Sequence, residues 1–205
     1  MAEFWETAFK DKQEMWGLEP TQSSIISRDL FVANEVKSVL IPGMGYGRNA
    51  QIFKESGMRV AGIEISQTAI DLGKKRFGDE LTFYHGSVTD MPFDDQVYDG
   101  VFCYGLVYLL DEQERVKLIK DCYNQLADNG IMVFTAITKE AKSYGQGIQI
   151  GKDRFEQFGG VKIFFYNKDG IEKDFGPYGL FEISEVEENQ PFYVIKCRKQ
   201  SGLTE

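Results

Sequence analysis

Two groups in this chain are spaced as a ligand site would need them. The first is the run Val39-Leu-Ile-Pro-Gly-Met-Gly-Tyr-Gly47, where an apolar stretch turns into glycines and then into a segment of helical character. Glycine takes positive φ at little cost and lets a ligand come close to the main chain. The second is Glu64, which stands seventeen residues after Gly47 at the end of the next apolar run. A carboxylate there can accept hydrogen bonds from both ribose hydroxyls of an adenosine-containing ligand. A bare tight turn would account for the glycines, but not for the acid at this distance.

These groups need a scaffold, and the apolar periodicity supplies one. The spacing predicts helices over Phe4–Gln13 and from about Ser23 to Glu35, separated by a loop at Trp16, Gly17 and Pro20. Strands follow at Ser38–Ile41, Arg59–Ile63, Leu81–His85, Tyr98–Tyr104 and Ile131–Ile137. Between them lie helices at Asn49–Ser56, at Gln67–Phe77 with Ser66 as N-cap, and from the capping box Asp111–Glu114 to about Leu126. Strands alternating with helices make a parallel α/β sheet. Phe181–Glu187 and Phe192–Arg198 are joined too closely for a parallel crossover, so they are expected to pair as an antiparallel hairpin.

The third glycine separates two ligand classes. The dinucleotide fingerprint G-x-G-x-x-G needs glycine at 48, where this chain has Arg48; its own third glycine is Gly47, giving G-x-G-x-G. That pattern resembles motif I of the class I S-adenosylmethionine-dependent methyltransferases. Val60-Ala-Gly-Ile-Glu-Ile-Ser66 is similar to the family's second motif, and His85-Gly-Ser-Val-Thr-Asp-Met-Pro-Phe93 to its third. Tyr98–Tyr104, continued by Gly-Leu-Val-Tyr-Leu-Leu110, resembles the fourth. The four motifs occur in order between Val39 and Ile137, and the terminal hairpin fits the family's last two strands.

The resemblance implies a Rossmann-like three-layer sandwich with a mostly parallel seven-stranded sheet ending in an antiparallel hairpin. It further implies a single domain: an N-terminal helical lid over 1–36, a cofactor-binding core over 37–137, a substrate-covering insertion over 138–178 and the hairpin over 179–199. The cofactor would be S-adenosylmethionine, with S-adenosylhomocysteine as product. Its contacts would come from Gly43, Met44, Gly45, Gly47 and Asn49, from Glu64 on the ribose, and from Ile65 against the adenine. Ser87 and Val88 would meet the adenine edge, and Cys103 and Tyr104 the methionine part. There are two departures from the pattern: Ile41 stands where most members have an acid, and Ser87 replaces the usual Asp of the third motif. Ile-Pro-Gly is also similar to thiol and thiopurine methyltransferases, and Gly-Arg-Asn-Ala to the tellurite-resistance branch, without fixing an acceptor.

Several residues carry two readings. Trp16 either covers the sheet or touches the cofactor or acceptor. His85 reads as structural rather than as a base. Cys103 reads as a small buried hydrophobe offering its carbonyl. Tyr104 and Tyr108 follow the fourth strand toward the expected methyl position, although Tyr108 also suits helix packing. The aromatic, glycine-punctuated stretch Tyr144–Tyr166 suits either a lid, with Tyr144 and Tyr166 on the acceptor, or a local core or dimer interface.

Composition narrows the partners. The 205 residues carry a net charge of −9, which argues against nucleic acid. No apolar run is long enough to span a membrane, and Met1–Asp11 lacks the pattern of a signal peptide. A cytoplasmic location is therefore expected. One histidine and three scattered cysteines fit neither a metal centre nor a disulfide framework. The expected function is methyl transfer to a small-molecule acceptor, with a homodimer possible. An acceptor already deprotonated or carrying a lone pair is preferred, since no base is identifiable. Two alternatives stand beside this: a non-catalytic cofactor-binding or scaffold protein, and a nicotinamide-dependent reductase.

Overall fold

The structure, a computed structural model, describes residues 2–201. Helices α1 (Ala2–Lys12) and α2 (Gln22–Ala33) precede the sheet. The chain then alternates through β1 (Ser38–Pro42), α3 (Ala50–Glu55), β2 (Arg59–Glu64), α4 (Gln67–Phe77), β3 (Leu81–His85) and β4 (Tyr98–Cys103). Next come α5 (Glu112–Asn124) and β5 (Leu126–Ile137). Three short strands follow, β6 (Ile148–Gly151), β7 (Arg154–Gln157) and β8 (Val161–Phe164), then α6 (Lys168–Phe175) and the pair β9 (Leu180–Glu187) and β10 (Pro191–Arg198).

The main sheet has seven strands in the order β3-β2-β1-β4-β5-β10-β9. Strands β1 to β5 run parallel, and β10 is antiparallel to both β5 and β9. The strand order reverses between β1 and β4, so the turn after β1 opens at the switch point where ligands bind in such sheets.

Alternation along the strands divides the core in two. On one face Phe31 of α2, Phe53 of α3 and Phe102 of β4 stack in a row, with ring centres 5.6 and 5.2 Å apart. On the other, Val101, Cys103 and Phe134 meet Leu118 and Cys122 of α5 and Phe175 of α6. Each fully buried side chain of this size contributes about 1.5–3 kcal/mol.

Local chemistry fixes the helix starts. Thr21 caps α2 by accepting from Ser24 N–H, Ser66 caps α4 by accepting from Ala69 N–H, and Asp111 and Glu114 form the reciprocal capping box of α5. The end of α5 differs from expectation. It stops at Asn124, and Leu126 already belongs to β5, paired with Tyr98. The register then shifts through Asn129, at φ 62°, before Ile131 pairs with Gly100. Burying Leu126 against the sheet outweighs its helical spacing.

The segment 144–166, for which a lid and a local core or dimer interface are both expected, forms the antiparallel sheet β6-β7-β8. Its inner side chains Phe155 and Ile163, with Phe165 beyond, pack on Leu109, Ile137 and Phe192. No helix of the described residues is long and apolar enough to cross a membrane.

Candidate active site

The glycine turn is held shut by its own hydrogen bonds. Gly43 and Met44 both donate to Ile63 O, at 2.8 and 3.1 Å, and Gly47 donates to Met44 O. Gly45 donates to Glu64 Oε2 at 2.8 Å. The first two N–H groups, like that of Gly47, are thus committed to protein carbonyls, as suits a ligand with no pyrophosphate to seat. Gly43, Gly45 and Gly47 all have positive φ, 69°, 59° and 86°. The Met44 side chain is buried above Gly62 of β2, so this residue offers a ligand no side chain.

Glu64 is buried and accepts three main-chain hydrogen bonds. Besides Gly45, its Oε1 takes Ile65 N–H at 2.8 Å and Ser66 N–H at 2.9 Å. Burial raises its pKa above the ordinary carboxylate value, and the N–H groups of Ser66, Gly45 and Ile65 and the charge of His85 oppose that shift. A carboxylate has about four acceptor positions, so roughly one remains for a ribose hydroxyl. Ile41, in place of the family's usual acid, is buried against α2 and α3 among Phe31, Val39 and Phe53.

Helix α1 lies across this turn. The Phe9 ring sits 3.8 Å from where a Cβ on Gly45 would be. Glu6 accepts from Ser66 Oγ (2.7 Å), Thr68 Oγ1 (2.7 Å) and Thr68 N–H (3.2 Å), and these bonds lower its pKa to about 2. Trp16 is 46% exposed, stacks on Tyr46 with ring centres 6.5 Å apart, and meets Phe9 edge-on. The Tyr46 hydroxyl donates to Gly17 O and accepts from Trp16 N–H, which fixes the loop. Asn49 does not face a ligand with its carbonyl: Oδ1 accepts from Thr21 N–H at 3.0 Å and from Thr21 Oγ1 at 3.2 Å. It joins the glycine turn to the start of α2.

At the end of β3, Ser87 Oγ accepts from Thr89 N–H and lies 2.7 Å from Thr89 Oγ1. Val88 turns its side chain into the core, leaving its backbone as the group nearest the edge. His85 Nε2 lies 3.2 Å from Ile65 O and so braces the residue after Glu64.

At the end of β4, Cys103 is fully buried and burial pushes its thiol far up, which removes it as a nucleophile. Tyr104 stacks on Phe102 and leans on Phe192, and its hydroxyl donates to Glu188 Oε2 at 2.8 Å. Tyr108 also packs on Phe192, with ring centres 6.1 Å apart. Sequence reasoning passed over Glu188, which lies in the β9–β10 connection. The antiparallel hairpin was the available signal, because it must return this turn to the carboxyl edge beside the end of β5.

Two expected acceptor contacts are corrected. Tyr166 is fully buried behind α6 with its hydroxyl on Asp174 at 3.0 Å, so it cannot line an open pocket. Tyr144, 37% exposed, sets its ring edge-on to Phe155 and Phe165 and donates to Asp153 at 2.7 Å, which ties it to the small sheet. The opening lined by Glu112, Val116, Lys117, Lys120 and Asn124 runs along α5 and includes none of the site residues.

A parallel sheet closed by an antiparallel pair, with glycines and a carboxylate at its switch point, is the architecture of the Rossmann-like α/β proteins. Residues 40–134 match the family model of the methyltransferase domain. That stretch is just under half of the chain and holds the glycine turn, Glu64 and the carboxyl end of β4. A stretch of 59 residues is 32% identical to demethylmenaquinone methyltransferase of Clavibacter sepedonicus, covering 28% of this chain and only about a quarter (24%) of that protein. The fold is similar to 1,6-didemethyltoxoflavin-N1-methyltransferase of Burkholderia thailandensis, solved with S-adenosylhomocysteine. That likeness has a TM-score of 0.75 at 15% identity, over 98% of this chain and 87% of the other. It is also similar to magnesium protoporphyrin IX methyltransferase of Synechocystis PCC 6803, solved with S-adenosylmethionine, at TM-score 0.73 and 12% identity over 97% and 95% of the two chains.

Proposed function

We propose that this protein transfers a methyl group from S-adenosylmethionine to a small-molecule acceptor, leaving S-adenosylhomocysteine. The observation that carries the reading is Glu64, a buried carboxylate pinned by three N–H groups at the switch point with acceptor capacity to spare. The residues present fit the ligand: Glu64 for the ribose, Ile65 and the backbone at Ser87 and Val88 for the adenine, and the Cys103 carbonyl and Tyr104 for the methionine part. Phe9 and Trp16, against Tyr46, form an aromatic cluster beside the glycine turn that would cover a cofactor bound there.

S-adenosylmethionine supplies an activated methyl carbon with a neutral thioether as leaving group. The protein's part is to hold the acceptor about 3 Å from that carbon, in line with the breaking bond. The net charge of −9 favours a small molecule over nucleic acid.

Calorimetric titration of the wild type and Glu64→Ala with S-adenosylmethionine, S-adenosylhomocysteine and NAD tests the reading. Binding of the first two, lost in the variant, is the expected result. Binding of NAD alone would overturn it in favour of a reductase. One observation favours a second reading, a cofactor-binding protein without turnover: Ile41 removes the acid that usually helps hold the methionine ammonium. Binding with no methyl transfer to a broad panel of acceptors would support it.

A further inference from the structure

The turn between β9 and β10 brings a second carboxylate to the carboxyl edge. Glu188 Oε1 accepts from Ser23 N–H of α2 at 2.7 Å, and Oε2 accepts from the Tyr104 hydroxyl at 2.8 Å. The start of α2 is already capped by Thr21, so Glu188 is not needed there as the cap. Holding Oε1 on Ser23 N–H instead fixes the direction of Oε2. Phe102 and Phe192 flank the Tyr104 ring, and Tyr108 packs on Phe192 in turn, so the phenol stands beside an aromatic surface where a hydrogen bond is strong.

Resting on the methyltransferase reading, we propose that Tyr104 and Glu188 are the proton-accepting pair of the acceptor site, and that the acceptor is a neutral molecule methylated at an O–H or N–H. This replaces the preference for an acceptor needing no base. Burial, and then the Glu188 charge, push the Tyr104 phenol far above its ordinary value, with Tyr108 adding to the shift and Arg48 opposing it. Tyr104 therefore stays protonated near neutrality and relays the proton. The acceptor's O–H proton moves to the Tyr104 oxygen as Tyr104's own proton moves to Glu188 Oε2. The acceptor oxygen bonds the methyl carbon, and the carbon–sulfur bond breaks with its electron pair left on sulfur. A carboxylate, a sulfonium and a neutral acceptor become a carboxylic acid, a thioether and a methyl ether, with net charge conserved.

The test compares wild type, Glu188→Gln, Tyr104→Phe and the neighbouring control Glu187→Gln. Calorimetry with S-adenosylhomocysteine comes first, followed by transfer of labelled methyl to simple phenols and to thiophenols already ionised at neutral pH. Expected are a cofactor affinity within about threefold of wild type in Glu188→Gln, and methylation of phenols slowed roughly 100-fold in the first two variants. In both variants the ratio of phenol to ionised-thiophenol transfer should fall about as far, because an acceptor already ionised has no proton to give up. Tyr104→Phe keeps the Glu188–Ser23 bond and so serves if Glu188→Gln fails to fold. Failure of the wild type to bind S-adenosylhomocysteine would overturn the parent reading. Binding with no transfer to any phenol, or equal rates in wild type and variants, would overturn the pair alone.

Discussion

Glu6 grips Thr68 with both carboxylate oxygens, one on the hydroxyl at 2.7 Å and the other on the N–H at 3.2 Å. This clasp holds α1 to the start of α4, with Phe9 resting on the glycine turn. The folded protein keeps Glu6 ionised down to about pH 2, against 4.5 for the free side chain. The clasp is therefore complete above pH 4.5 and is lost as the pH falls toward 2. Trp5 and Trp16 report on it, so tryptophan fluorescence should show a local acid transition in that window. Glu6→Gln should shift or remove the transition, and an unchanged one would mean that α1 is held by its aromatic contacts alone.

Glu64 carries a structural duty besides its proposed ligand role. Replacing it with Gln sets an NH2 donor against a main-chain N–H, which costs about 1–3 kcal/mol for the unsatisfied group. Urea unfolding of Glu64→Gln should show that loss together with weakened cofactor binding. A variant with full stability but no binding would mean that the three N–H groups find other partners.

Gly47 combines φ of 86° with a Cβ position only 2.8 Å from the Phe77 ring. Gly47→Ala is expected to cost about 1–3 kcal/mol through backbone strain and displaced packing. Gly57→Ala, at a similar φ with open space around it, isolates the backbone part. Equal losses at both positions would show that Phe77 yields without cost.

Tyr166 and its surroundings belong to the scaffold. Arg115 is buried with its guanidinium carbon 4.0 Å from the centre of the Phe164 ring, and its Nε lies 3.7 Å from Asp174. Asp174→Asn should destabilise by about 3 kcal/mol, because a buried cation loses its counter-charge. Tyr166→Phe should cost about 1 kcal/mol. Neither should change S-adenosylhomocysteine affinity at saturating protein stability, and a large change would return Tyr166 to the site.

Much of the sheet was legible because apolar runs and capping residues are local signals. Ser66, Asp111 and Glu114 cap as their spacing implies, and the terminal hairpin follows from the short Glu188–Pro191 connection. The glycine turn and Glu64 come together because both lie at ends of neighbouring strands, whose order the α/β alternation imposes. What escaped was non-local. Asn49 reads as a ligand contact in its motif, yet its partner is Thr21, and nothing near position 49 announces it. The strands β6 to β8 are only four residues each, and Gly147, Gly151, Gly159 and Gly160 hide their alternation. Tyr166 looked like part of an aromatic lid because burial behind α6 depends on a helix that follows it.

The Glu188 contacts also set an order of assembly. Tyr104 and Ser23 lie 84 and 165 residues from Glu188 along the chain. Both bonds wait for the hairpin to return across the sheet, and loops of that length close late because their entropy must be overcome first. A chain emerging from the ribosome has its glycine turn and Glu64 well before β10 exists. The half that carries the glycine turn and Glu64 is thus available early, whereas the half that carries the Tyr104–Glu188 contact is finished only when the last strand docks.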